Sequence, residues 1–208
     1  MGKTGISRRK AVSSMLALGA ATALLGTQVH GERARTLPRD RIRPPGALRE
    51  REFLDACVRC GLCVQECPYD TLKLTDLHQP VPAGTPYFVA RQVACEMCET
   101  MPCVVACPTG ALRPSLTNIR DADMGLAGLS SPERCLGYIG ASYCDSCYKA
   151  CPIKDEAIRM KRGNTSWGRN FQPVVDADHC TGCGLCEAAC VVEGAAAITV
   201  RANHIAQR

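Results

Sequence analysis

Apolar positions fall into one continuous stretch near the start of the chain and a set of very short runs further on. The stretch covers residues 15–25, is rich in Ala and Leu, follows Lys3, Arg8, Arg9 and Lys10, and gives way to small and polar residues at 27–31. It falls short of the roughly 18 residues that a membrane-spanning helix needs. The order charged, apolar, polar predicts a secretory signal over residues 1–31. Ser7-Arg8-Arg9-Lys10 supplies the arginine pair of the twin-arginine route, which carries folded proteins across the bacterial inner membrane, although Ala11 stands where a large apolar residue is usual. Val29-His30-Gly31 is not a clean Ala-x-Ala, so cleavage and retention as an anchor both stay open. Residues 32–50 are basic and Pro-rich, contain Arg43-Pro44-Pro45-Gly46, show no apolar period, and read as a linker.

The later runs are Leu72-Lys73-Leu74, Ala111-Leu112, Ala157-Ile158-Arg159-Met160, Val174-Val175 and Ala197-Ile198-Thr199-Val200. Their alternation and β-branched residues predict short strands. None is long enough to bury much alone, so the core has to come from elsewhere.

Between these runs the cysteines repeat. They form four groups of four: Cys57, Cys60, Cys63, Cys67; Cys95, Cys98, Cys103, Cys107; Cys135, Cys144, Cys147, Cys151; and Cys180, Cys183, Cys186, Cys190. The first and last groups have the Cys-x2-Cys-x2-Cys-x3-Cys spacing of bacterial ferredoxin iron–sulfur sites. Three thiolates two residues apart on a tight loop converge on three corners of one cubane. The fourth, at the start of a short helix, points away to a neighbouring cluster. Gly61, Gly182 and Gly184 suit such loops, and Pro68, Pro108 and Pro152 follow the last cysteine of the first three groups, where proline suits a helix start. Val191 takes that place in the fourth group. The second group is widened by Glu99-Thr100-Met101-Pro102, and the third has eight residues between Cys135 and Cys144. Whether Cys135 completes its site decides between four clusters and three. Folding is expected to depend on metal.

Composition sharpens the choice. Sixteen cysteines in 208 residues exclude an ordinary cytosolic enzyme, and 46% hydrophobic residues exclude wholesale disorder. A small exported chain this rich in cysteine is commonly a disulfide scaffold. The repeated spacing and the Cys-Pro signature favour iron–sulfur, and zinc ribbons use separated Cys-x2-Cys pairs instead. Of the net charge of +5, residues 1–50 supply ten Lys/Arg against three Asp/Glu, and the remainder has fifteen against seventeen. A near-neutral body gives no basic face for nucleic acid.

Other chemistry is thin. His30, His78, His179 and His204 are scattered, and His179 beside Cys180 reads as a solvated loop residue. Tyr69, Tyr87 and Phe88 either shield clusters or fill core. Lys161, Arg162 and Arg169 around Trp167 read as a solvated basic loop, with a docking patch as the lesser reading. There is no nucleophile–base pair, phosphate-cradling loop or dinucleotide fingerprint, and no catalytic residue is assigned.

Longer strings carry a resemblance: Arg43-Pro44-Pro45-Gly46-Ala47, Cys57-Val58-Arg59-Cys60-Gly61-Leu62-Cys63-Val64, Cys67-Pro68-Tyr69-Asp70-Thr71-Leu72, Gly84-Thr85-Pro86-Tyr87-Phe88-Val89-Ala90-Arg91, Cys95-Glu96-Met97-Cys98-Glu99, Met124-Gly125-Leu126-Ala127 and Cys144-Asp145-Ser146-Cys147-Tyr148. From about residue 43 to 200 the chain resembles the NapG/MauM-type periplasmic ferredoxins, the gap after Cys135 included. The resemblance implies a periplasmic electron-relay subunit with four [4Fe–4S] clusters. It would work with a polytopic membrane ferredoxin-type quinol-oxidising partner. A periplasmic cytochrome c or reductase would be the acceptor, on the way to nitrate reduction or methylamine oxidation. Related four-cluster proteins pair the first repeat with the fourth and the second with the third. Carried over, the ligand sets are Cys57, Cys60, Cys63 with Cys190; Cys180, Cys183, Cys186 with Cys67; Cys95, Cys98, Cys103 with Cys151; and Cys135, Cys144, Cys147 with Cys107.

The expected architecture is α+β, two pseudo-symmetric bacterial-ferredoxin-like modules in a domain at 51–208, with repeats near 51–80, 87–118, 126–162 and 171–202. An iron–sulfur subunit of a molybdenum oxidoreductase and a non-redox structural cluster protein remain as other readings.

Overall fold

The computed structural model describes residues 37–165 and 168–203. The expected signal at 1–31, the first residues of the expected linker, His30, Trp167 and His204 lie outside them, as does the Arg169 side chain.

The described part of the expected linker is a structural element. Leu37 and Ile42 are buried, and Ile42 exchanges both backbone hydrogen bonds with Phe88 at 2.8 Å. Further on, Leu48 N–H donates to Ala111 O at 3.1 Å and Arg113 N–H to Gly46 O at 2.7 Å. Residues 37–50 therefore line Phe88 and the Ala111-Leu112 run and satisfy backbone groups of both. Composition hid this because the segment buries an ion pair as well as apolar side chains. Arg43 Nη2 lies 2.6 Å from Glu50 Oε1, with the two side chains 4% and 9% exposed. The rest of the guanidinium is occupied by Glu50 Oε2, Thr85 Oγ1 and Pro86 O, and its carbon sits 4.6 Å from the centre of the Phe53 ring. Glu50 and Phe53 belong to helix α1 (Glu50–Ala56), which delivers the chain to Cys57.

Helices α2 (Leu62–Gln65), α3 (Pro102–Val105), α5 (Ser146–Ala150) and α6 (Leu185–Ala188) are about one turn each, and each carries the third cysteine of its group. Cys63, Cys103, Cys147 and Cys186 are the four buried cysteines, and they belong to the main apolar core. The fourth cysteines sit past the ends of these helices, not at the start of new ones. Pro68, Pro108 and Pro152 lead turns, the other use of proline's fixed φ. Helix α4 (Leu136–Ile139) fills part of the gap between Cys135 and Cys144.

Strands are short and form antiparallel ribbons: β1 (Lys73–Leu74) with β2 (Pro86–Tyr87), β4 (Ile158–Thr165) with β5 (Gly168–Val175), and β3 (Gly125–Leu129) with the distant β6 (Ile198–Ala202). The Ala111-Leu112 run makes only a single bridge, from Leu112 to Ala47. β3 was not foreseen, because Gly-Leu-Ala-Gly-Leu carries little strand propensity. Its inward residues are small so that β6 and the loop at Gly182 can approach. A Cβ on Gly182 would lie 2.3 Å from the Gly125 nitrogen.

Candidate functional site

Each short helix follows a loop that turns back on itself. Gly61 (φ 77°) and Gly184 (φ 83°) take left-handed backbone just before α2 and α6, bringing the first two thiols of the loop to the side of the third. The fourth thiol of each group is carried past its helix to the adjacent repeat. Four cavities result.

Phe53, Pro86, Ala111 and Leu112 surround one that is lined by Cys57, Cys60, Cys63 and Cys107 and has about 350 Å³ of space free of protein atoms, its open mouth included. Another, of about 380 Å³, is lined by Cys95, Cys98, Cys103 and Cys67 with Leu72, Tyr69 and Ile119. A third, also about 380 Å³, has Cys180, Cys183, Cys186 and Cys151 with Met97, Ala127 and Ile158. The last, about 370 Å³, has Cys135, Cys144, Cys147 and Cys190 with Leu129, Leu136 and Ile198. They are named below by their first cysteine. All sixteen cysteines take part, and none is in a disulfide.

The cavities group the fourth cysteines differently from the expected pairing. Cys67 faces the Cys95 cavity, not the Cys180 one, and Cys107 faces Cys57 in return. Cys151 faces the Cys180 cavity and Cys190 the Cys135 cavity. Repeats exchange their fourth cysteine with the next one in sequence, because α2 packs on α3 and α5 on α6. Consecutive elements are usually neighbours in space, and here the exchange follows that rule.

The linings are apolar and the thiols pay for it electrostatically. Burial first, then the charges of neighbouring cysteines, pushes Cys63 and Cys147 up to about 12. Burial likewise takes Cys95 to about 12 and Cys103 and Cys183 to about 11, and Cys186 is pushed up further still. Thiolates are not stable there without cationic compensation, which a bound metal centre supplies. Cys107 moves the other way. Burial raises it too, but the N–H groups of Leu112, Thr109 and Gly110 outweigh that and bring it below its ordinary value. Leu112 N–H lies 3.4 Å from Cys107 Sγ, and Ala197 N–H lies 3.4 Å from Cys190 Sγ. Such donors to sulfur are one of the ways a protein tunes an iron–sulfur centre.

The donor set fits a polynuclear centre better than a single ion. Among the described residues, no three His, Cys, Asp or Glu side chains converge closely enough to hold one metal ion. The four thiols instead stand around a space that a cubane's larger frame would fill. His179 is exposed, lies 3.2 Å from Asp176 Oδ1, and lines none of these cavities. Tyr69 borders the Cys95 cavity, whereas Tyr87 packs with Leu37 and Val81 and Phe88 sits in the main core. Ala127, Leu129 and Met97 are wall residues that sequence reasoning missed. Met97 reaches from the second repeat to the Cys180 cavity, where its sulfur accepts from Thr181 Oγ1 at 3.4 Å.

Neighbouring cavities are linked one to the next. The helices α2 and α3, which carry Cys63 and Cys103, pack on each other and join the Cys57 and Cys95 sites. Cys95 N–H donates to Cys183 O at 2.9 Å, joining the Cys95 and Cys180 sites. The helices α5 and α6, which carry Cys147 and Cys186, pack on each other and join the Cys180 and Cys135 sites.

Comparison with known proteins agrees with this arrangement. A family described as "4Fe-4S dicluster domain" matches residues 56–111 and again 130–193, so each match contains one pair of exchanging repeats. The methylamine utilization ferredoxin-type protein MauM of Methylorubrum extorquens is 48% identical over 196 residues, 93% of this chain and 88% of its own length. The ferredoxin-type protein NapG of Escherichia coli is 50% identical over 188 residues, 89% of this chain and 80% of its own. MauM of Paracoccus denitrificans is 52% identical over 159 residues, 76% of this chain and 70% of its own. With two dicluster matches on a bacterial-ferredoxin-like frame and relatives this similar over most of its length, the chain belongs to the NapG/MauM family of ferredoxin-type 4Fe–4S proteins.

Proposed function

We propose that the protein carries four [4Fe–4S] clusters, one in each cavity, and relays single electrons along the line Cys57, Cys95, Cys180, Cys135 without a substrate site of its own. The ligand sets are Cys57, Cys60, Cys63, Cys107; Cys67, Cys95, Cys98, Cys103; Cys151, Cys180, Cys183, Cys186; and Cys135, Cys144, Cys147, Cys190. A bound cubane supplies reversible one-electron chemistry. The chain's part is to exclude water with apolar walls, to place N–H donors on sulfur, and to keep adjacent sites close. The observation that carries this reading is the backbone bond between Cys95 and Cys183, a ligand of one site hydrogen-bonded to a ligand of the next.

In this reading the two modules are the pairs of exchanging repeats. The chain acts in the periplasm, exported by way of Arg8-Arg9, and takes electrons from a membrane quinol-oxidising ferredoxin-type partner. It delivers them through a cytochrome c or reductase towards nitrate reduction or methylamine oxidation. The family membership and the export signature at the N-terminus support this placement. Docking at the ends of the line is supported by exposure there. Cys60 is the one exposed cysteine, flanked by exposed Val58 and Leu62, and Tyr143 and Val191 are exposed beside the Cys135 site.

The test is iron and acid-labile sulfide on anaerobically purified protein, followed by a low-temperature EPR redox titration. About sixteen iron atoms per chain with interacting reduced-cubane signals are expected. Iron near twelve, or clusters that do not titrate reversibly, would sink the four-site relay. Reduction by a quinol analogue should require the membrane partner.

A further inference from the structure

The first three cysteine groups end in Cys-Pro, and the fourth ends in Cys190-Val191. Proline restrains the chain that carries a fourth ligand away from its helix, by fixing φ. The loop after Cys190 lacks that restraint and makes little regular structure before β6. It is held from outside instead.

Arg91, in the turn after β2, reaches across to it. Nη1 donates to Glu187 O at 2.9 Å, Ala188 O at 3.3 Å and Cys190 O at 2.8 Å, Nη2 to Val192 O at 2.6 Å, and Nε to Gly194 O at 3.1 Å. One side chain thus meets five backbone carbonyls, from the end of α6 through the ligand to the glycine turn. Of the carbonyls at the end of α6, Glu187 O also accepts from Cys190 N–H at 3.3 Å, and the guanidinium, with five N–H donors in a fixed fork, binds it together with its neighbours. The neighbouring residue seats the same turn. Ala90 lies against Gly184, where an added Cβ would come 2.3 Å from the Ala90 Cβ. Residues 90–91 therefore grip α6 near its start and at its end. Arg134, just before Cys135, adds a bond to Glu193 O at 2.7 Å.

We propose that Arg91 is the positioning residue for Cys190, taking the place of the missing proline. The first half of the chain thereby holds a ligand of the Cys135 site, two sites further along the line. This rests on the four-site reading.

The experiment uses the full-length, anaerobically loaded protein and compares wild type, Arg91→Lys, Arg91→Ala and Cys190→Ser. Iron release to a chelator and the EPR spectrum of the reduced protein are followed together. Lysine keeps the charge and much of the bulk but not the fork, so it guards against a variant that fails to fold. Expected for Arg91→Lys is early release of about a quarter of the iron, with loss of the same signal that Cys190→Ser removes. Arg91→Ala should show the same pattern more strongly. Release at the wild-type rate with an unchanged spectrum would overturn the inference. So would even loss from all sites in Arg91→Lys, which would mark Arg91 as general packing. Cys190→Ser keeping the full iron complement would overturn the assignment of Cys190 and the inference together.

Discussion

Cys67 shows most clearly what one residue contributes to this protein. It belongs by sequence to the first group, yet its sulfur faces the cavity of the second. Cys67→Ser is therefore expected to cost the Cys95 site, about four iron atoms, and to leave the Cys57 and Cys180 sites loaded. Iron content with site-resolved EPR checks it, and loss of the Cys180 signal instead would restore the long-range pairing. Cys107→Ser should act reciprocally on the Cys57 site. The identity of all sixteen candidate ligands was legible in the sequence, because the cysteines recur in four groups of four, two of them with the strict spacing that three convergent thiols impose. Their partnership was not, because the fourth cysteine's destination depends on which helix packs beside its own. That information lies in the α2–α3 and α5–α6 contacts and leaves no mark in the spacing.

At the scale of elements, the short apolar runs after the cysteine groups were readable as extended segments, and Lys73–Leu74, Ile158–Thr165 and Ile198–Ala202 are strands. Residues 37–50 were misread because an Arg buried by bidentate pairing with Glu50 looks, in a sequence, like any charged linker residue. Arg43→Ala leaves Glu50 as an uncompensated buried carboxylate and should destabilise the protein by about 3–5 kcal/mol. The apolar pair Arg43→Met with Glu50→Leu should recover most of that loss. The rate at which visible absorbance fades in guanidinium reports both. Equal rates in Arg43→Ala and wild type would show that the segment does not support α1. Gly184→Ala is a second elemental test. It forces an L side chain to φ 83° and places a Cβ 2.3 Å from that of Ala90, so the turn at residues 90–91 must shift off α6. About 1–3 kcal/mol of destabilisation is expected, as for other overpacked sites.

At the scale of the whole molecule, the sites among the described residues are linked in one order, with two interior and two terminal, and that order makes them unequal. Contacts run from the Cys57 to the Cys95 site where α2 packs on α3, across the Cys95–Cys183 backbone bond to the Cys180 site, and on to the Cys135 site where α5 packs on α6. Magnetic coupling between reduced centres falls off with distance, so it should follow these contacts. Cys186→Ser, which removes the Cys180 site, should release the Cys135 signal from its interaction broadening. Cys63→Ser, which removes the Cys57 site at the far end, should leave that signal as it is in the wild type. Electron delivery separates the two variants in a second way. A photochemical donor attached at Cys60 through its exposed sulfur would disturb a ligand, so the donor is better tethered at a cysteine replacing the neighbouring, exposed Val58. With the Cys180 site gone, reduction should reach the Cys95 site and stop there, leaving the Cys135 site oxidised on the same timescale. Prompt reduction of the Cys135 site in Cys186→Ser would mean that a route bypasses the middle of the molecule, and the linear order would have to be abandoned.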